Sequence, residues 1–183
     1  MPQWISWRRG CEKSTERSYP QIYRFIASRL SMLTVSQIWE NPELGEHEVM
    51  AHDTLCSFLE ELGYDVKRSA YGRPTAFEVL SGSGGRLVNF NAEYDCLAGI
   101  GHACGHNLIA TSSVAAFLAL SISLKKLGVP GRVQLLGTPD EEGNGAKIKL
   151  LNAGAYEDVD ASLMAYALFP PSKSLLVCGL VQR

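Results

Sequence analysis

Leu87-Val88-Asn89-Phe90-Asn91-Ala92-Glu93-Tyr94-Asp95 and, shortly after, Gly99-Ile100-Gly101-His102-Ala103-Cys104-Gly105-His106-Asn107 form the stretch that decides the fold. Leu87 to Phe90 reads as a strand running straight into an acidic turn. A glycine-rich loop, Gly99 to Gly105, then leads into an apolar helix from about Asn107 to Leu127. Gly128 stops that helix, and Lys125 and Lys126 suit the negative end of its dipole.

The same alternation extends outward. Upstream, Leu55, Phe58, Leu59 and Leu62 repeat at i, i+3, i+4, i+7, giving a helix from about Glu46 to Leu62 stopped by Gly63. Phe77 to Leu80 is a strand, and Ser81-Gly82-Ser83-Gly84-Gly85 is its turn. Downstream, Val133 to Leu136 is a strand ending in Gly137-Thr138-Pro139-Asp140-Glu141-Glu142-Gly143. A short helix covers Ala146 to Asn152, and strands follow at Ala161 to Ala165 and Ser174 to Val181. Strands alternating with helices indicate an α/β fold with a mostly parallel sheet. At the start, residues 1–18 are polar and without period, and are expected to be poorly ordered. Ile22, Phe25, Ile26, Leu30 and Leu33 fall near helical spacing over Gln21 to Leu33, and Asn41-Pro42 breaks that pattern.

Composition narrows the function classes. A chain of 183 residues with 46% hydrophobic and 20% charged residues can bury one core. A net charge of −2 gives no electrostatic case for nucleic acid or an anionic membrane. The stretch Leu108 to Leu127 is broken by Thr111, Ser112, Ser113, Ser121 and Ser123, so no apolar run is expected to span a bilayer. Trp4, Ile5 and Trp7 precede Arg8 and Arg9, the reverse of a signal peptide, and Glu12 and Glu16 argue against a transit peptide. Cys11, Cys56, Cys96, Cys104 and Cys178 are odd in number and irregular in spacing, which points to reduced thiols and a cytoplasmic location.

Two clusters carry chemistry. His102-Ala103-Cys104-Gly105-His106-Asn107 and Asp140-Glu141-Glu142-Gly143 both follow strands, and ligands collect at the carboxyl ends of strands in such sheets. In an extended loop the i, i+2 spacing of Cys104 and His106 puts both side chains on one side. Thiolate and imidazole are good zinc ligands, and a carboxylate can complete the set. Of two adjacent glutamates, one can hold the metal while the other takes a proton from water. The bland readings are ordinary packing for the Cys and His, and a helix start for Glu141-Glu142. Composition alone leaves these and metal binding evenly balanced. His47 and His52 read as solvent-facing residues of the amphipathic helix. A rival reading takes Gly99, Gly101 and Gly105 as a dinucleotide loop, but its acidic partner is missing about twenty residues on.

Taken together, Asn41-Pro42-Glu43-Leu44-Gly45, Glu93-Tyr94-Asp95, the Gly99–Asn107 loop and Gly137–Gly143 closely resemble metallopeptidase family twenty, over roughly residues 35–183. The likeness is nearest to its amidohydrolase and Xaa-Arg dipeptidase branch, which carries a Cys-Gly-His motif. The resemblance implies a three-layer α/β sandwich of zinc-exopeptidase type. It further implies a zinc or manganese centre, often with two metals, that hydrolyses amide bonds in dipeptides or amino-acid conjugates. By the same resemblance Cys104, His106 and Glu142 are metal ligands, Glu141 is the general base, and Asp95 lies beside the centre. Gly99, Gly101 and Gly105 let the loop turn around the metals.

The sequence departs from the family in two ways. At the end of the strand carrying Ser162-Leu163-Met164-Ala165 the family places a ligand histidine, and here the position is Tyr166. A further ligand histidine nearer the family's C-terminus has no counterpart, since the histidines are His47, His52, His102 and His106. The family's dimerisation domain and the closing part of its catalytic domain are also absent. The expected organisation is therefore an N-terminal extension with a first helix over 1–34, and a truncated catalytic domain over 35–183. The expected partner is a small-molecule substrate. The alternative is a non-catalytic relative that keeps the fold as a binding or remnant protein.

Overall fold

The computed structural model describes residues 28–166 and 176–181. The expected N-terminal extension, the first part of the Gln21–Leu33 helix and the start of the Ser174–Val181 strand lie outside the described residues. In chain order the elements are α1 (residues 28–40, with wide π-type turns over Ser31–Ile38), α2 (Val49–Glu61), β1 (Val66–Arg68), β2 (Phe77–Ser83) and β3 (Leu87–Ala92). They continue as α3 (His106–Leu127), β4 (Gly131–Gly137), α4 (Glu141–Asn144), α5 (Ala146–Asn152), β5 (Ala161–Tyr166) and β6 (Leu176–Val181).

The strands form one sheet in the order β1-β2-β4-β3-β5-β6. β3 runs parallel to both β4 and β5, the arrangement that strands linked through helices require. The flanks are antiparallel: β1 on β2, β2 on β4 and β6 on β5. The sheet is thus mixed, with a parallel centre and antiparallel flanks. The segments joining β1 to β2 and β5 to β6 are too short for a crossover, so those neighbours must reverse direction.

Side chains alternate across the sheet and define two cores. Phe77, Val79, Val133 and Leu135 pack with Ile38, Leu55, Leu59, Val114 and Phe117 of α1, α2 and α3. On the opposite face Ala76 and Leu136 pack with Leu150 of α5 and Ala155 beyond it. Helices on both faces make the three-layer sandwich. Each large apolar side chain removed from water contributes about 1.5–3 kcal/mol before chain entropy is counted.

Three expectations require correction. By length and a mean hydropathy of 1.7, α3 does suffice to cross a bilayer. It is instead the central helix of the sandwich, burying Ile109, Ala110, Val114, Phe117 and Leu118 against the sheet. α2 begins at Val49 rather than Glu46, because Glu46 has φ +65° and the Glu43 carboxylate caps the helix through the Met50 and Ala51 N–H groups, both at 2.9 Å. His47 is exposed, as expected, but precedes the helix. His52 is buried, because it opens the same i, i+3, i+4, i+7 series as Leu55, Cys56 and Leu59.

Candidate metal centre

β3 and β4 end level with each other. Ala92 pairs with Gly137, and the Thr138 N–H donates to the Ala92 carbonyl at 2.8 Å. The chain beyond β3 carries Glu93, Tyr94 and Asp95, all buried. The chain beyond β4 turns at Asp140 into α4, which opens with Glu141 and Glu142. The Gly99–Gly105 loop closes with Gly105 at φ +80°, a left-handed backbone that glycine adopts without strain, and α3 starts at the next residue, His106.

The Cys104, His106 and Glu142 donor atoms lie within 4.8 Å of one another. Cys104 and His106 converge through a turn, in which the Gly105 N–H donates to the His102 carbonyl at 3.0 Å. The extended i, i+2 alternation expected for them is not what aligns them. Glu142 Oε1 stands 3.7 Å from His106 Nε2, and Glu141 Oε2 stands 3.9 Å from the same nitrogen.

Asp95 organises this group without any exposure of its own. Its Oδ1 accepts from His106 Nδ1–H at 2.8 Å, its backbone carbonyl accepts from the same N–H at 3.0 Å, and its Oδ2 accepts the Glu142 N–H at 2.9 Å. Acceptors on Nδ1 fix a proton there, so that in the neutral ring the lone pair is on Nε2, facing the carboxylates. Burial alone would lift the Asp95 pKa. The hydrogen bonds from His106 and Glu142 outweigh it and hold the carboxyl below its usual value. For His106, burial opposes protonation, but the Asp95 bond and the charges of Glu93, Asp95 and Glu142 prevail and raise its pKa. Burial, reinforced by Glu142, pushes the Cys104 thiol up to about 11. A cation arriving there must displace that proton to engage the sulfur.

The donor chemistry fits a metal ion. A sulfur, an imidazole and a carboxylate together suit a borderline-soft divalent ion better than a hard one. The same surroundings count against the dinucleotide reading: Glu93, Asp95, Glu141 and Glu142 crowd the α3 N-terminus and would repel a phosphate.

Two residues here were not singled out in the sequence as parts of the centre. Glu93 reaches His106 Nε2 with Oε2 at 3.2 Å. Lys147, from the first turn of α5, pairs with Glu93 Oε1 and lies 3.9 Å from Glu141. Glu93 alternates with Asp95 along the extended chain, which was a usable signal. Nothing local marks Lys147. Tyr166 ends β5 and is 41% exposed. It stands as far past the paired residue Leu163 as Glu93 stands past its partner Phe90, so β5 brings it to the same end of the sheet.

Residues 86–178 match the model of peptidase family M20/M25/M40. The chain is 41% identical over 152 residues to the Xaa-Arg dipeptidase of Mus musculus, covering 76% of this chain and 35% of that protein. It is 35% identical over 166 residues to a polypeptide of the p-aminobenzoyl-glutamate hydrolase of Escherichia coli, covering 78% and 34%. The chain thus spans about a third of the length of these curated relatives. Among solved structures, a dinuclear metal-binding peptidase of the M20 family from Bacillus subtilis superposes with a TM-score of 0.60 at 22% identity, over 75% of this chain and 42% of that one.

Proposed function

Because this chain belongs to peptidase family M20/M25/M40, we propose that it is a metal-dependent hydrolase that carries a general base and metal ligands, acting on amide bonds in dipeptides or N-acyl and amino-acid conjugates. The observation that carries this reading is the convergence of Cys104, His106 and Glu142 with Glu141 alongside. Cys104, His106 and Glu142 would hold the ion, zinc or manganese, whose Lewis acidity makes water a competent nucleophile near neutral pH. With an ion bound, Glu141 would accept a proton from water on a carboxylate oxygen and return it to the leaving nitrogen. Asp95 keeps the His106 proton on Nδ1 so that Nε2 stays available, and fixes the Glu142 backbone. Names such as Xaa-Arg dipeptidase and p-aminobenzoyl-glutamate hydrolase among the relatives support a small substrate with an amide next to a carboxylate-bearing residue. The cysteine pattern supports a cytoplasmic setting.

The test is a pair of variants scored for both metal content and turnover on dipeptides and acyl-amino acids. Glu141→Gln should leave bound metal nearly unchanged and lower turnover by about 10²–10⁴-fold, the usual worth of a general base. Glu142→Gln should lower metal content. Equal metal loss in both would sink this division of labour. A second reading, a relative that keeps the fold without the chemistry, is favoured by Tyr166, which stands where the resemblance implies an imidazole. Tight metal binding by the unaltered chain with no turnover on the whole panel would favour that reading.

A further inference from the structure

We infer that Glu93 is a fourth ligand of the metal centre, presented by Oε2 and steered from outside by Lys147; the inference rests on the metal-centre reading above. Glu93 is 1% exposed and sits at the carboxyl end of β3, on the chain that also delivers Asp95. Its two oxygens have different surroundings. Oε1 faces the Lys147 ammonium, and Oε2 faces His106 Nε2 at 3.2 Å.

Asp95 holds a proton on Nδ1, so in the neutral ring, the form that can bind a metal, the Nε2 lone pair faces Glu93 Oε2. In that form two lone-pair donors face each other, and they repel unless a proton or a metal cation lies between them. Tetrahedral ligands at about 2.0–2.2 Å from zinc stand roughly 3.3–3.6 Å from one another, so the Glu93–His106 gap is close to a ligand-to-ligand spacing. Glu142 Oε1, at 3.7 Å from the same nitrogen, has a similar spacing.

Charge points the same way. Glu93, Asp95, Glu141 and Glu142 converge on His106, with Lys147 as the cation beside them among the described residues. Of these, Glu93 and Asp95 are buried while Glu141 and Glu142 reach solvent; buried carboxylates are stable when paired or when they coordinate a metal, and the four together attract a cation. A carboxylate with one oxygen tied by an outside partner and the other directed at an imidazole is arranged as oriented metal ligands are.

The experiment is calorimetric titration of the purified full chain with zinc, and of Glu93→Gln, Glu93→Asp and Lys147→Met, each checked for its native far-ultraviolet dichroism. Cobalt(II) absorption is recorded on the same proteins. Loss of Lys147, which pairs with Glu93 more closely than with Glu141, should weaken zinc binding by about 10- to 100-fold, as loss of an orienting partner does. Glu93→Gln should weaken it at least as much and alter the cobalt bands. Glu93→Asp keeps the charge but withdraws the oxygen by one methylene. It separates ligation from charge, and should also weaken binding and alter the bands. Unchanged zinc affinity and cobalt bands in Glu93→Asp would overturn the inference while leaving the metal centre standing, and that arm remains decisive if Glu93→Gln does not fold. Absence of zinc binding by the unaltered chain would overturn the metal-centre reading itself, and the inference with it.

Discussion

Replacing Glu48 tests whether the loops around the site are held by one buried carboxylate. Glu48 has no exposure and lies just before α2. Its Oε1 accepts the Asp140 N–H at 2.7 Å, and its Oε2 accepts the Thr75 hydroxyl at 3.0 Å. Glu48→Ala strands both donors in the interior. Each buried donor left without a partner costs about 1–3 kcal/mol, so the pair costs roughly 2–6 kcal/mol. At about 2–4 °C per kcal/mol for a chain of this size, the melting temperature should fall by roughly 10 °C. Glu48→Gln keeps an acceptor for Asp140, and the Thr75 hydroxyl can turn to accept from the new amide, so it should be far milder. The pH dependence separates the two states of Glu48 itself. Burial raises its pKa above the usual 4.5, more than its hydrogen bonds lower it. The folded state therefore holds the proton at pH values where the unfolded chain has released it. Stability is lost as pH rises from about 4.5 through the raised value, and the Gln variant lacks this loss. Thermal melts followed by circular dichroism between pH 4 and 8 measure both effects. A melting temperature for Glu48→Ala within about 2 °C of the unaltered chain would refute the argument, since it corresponds to less than about 1 kcal/mol.

Two further outcomes follow from the site. Asp95→Asn should lower zinc affinity by about 10- to 100-fold in calorimetric titration, because the amide cannot accept from both His106 and the Glu142 N–H with the same strength. Tyr166→His should raise zinc affinity measurably, because it adds an imidazole at the end of β5. No gain would mean that this strand end does not face the centre.

Legibility in the sequence followed the physical range of each signal. The strands at Leu87 and Val133, the helix at Ala146–Asn152 and the carboxyl-end location of both motifs follow from local pattern and were readable. β1 is three residues long, has no room to display alternation, and went unread. The start of α2 depends on Glu43, which caps it from outside the helix, so periodicity alone placed it too early. His52 was misread by residue type, although its spacing placed it with Leu55 and Leu59 on the buried face. Cys104, His106 and Glu142 were legible as chemistry. The partner that steers Glu93 was not, because Lys147 meets Glu93 only after β3 and α5 are packed against each other.

The motif at Asn41–Gly45 contributes none of the residues that converge on the metal-binding group, and its role is to fix a backbone. Asp140 must sit at φ +54° for α4 to present Glu141 and Glu142 to His106. A left-handed conformation costs an ordinary residue roughly 1–2 kcal/mol, and aspartate somewhat less. Three residues hold it there. The Asp140 N–H is bound by Glu48, its carboxylate accepts from the Asn144 backbone N–H at 3.3 Å and from the Asn144 side-chain amide at 3.0 Å, and Arg73 approaches to 3.8 Å. The bond to Glu48, worth about 0.5–1.5 kcal/mol with the carboxyl neutral and about 1.5–3 kcal/mol with it ionised, offsets much of the backbone cost. Gly45 leaves the space in which the Asp140 carboxylate lies, and a Cβ there would overlap it. Glu43 completes the bracket: its side chain caps α2, which follows Glu48, while its carbonyl accepts the Cys96 N–H at 2.9 Å, next to Asp95. The loop before α2 therefore ties the ends of β3 and β4 to each other, and the aim of Glu141 and Glu142 depends on residues that never approach the metal.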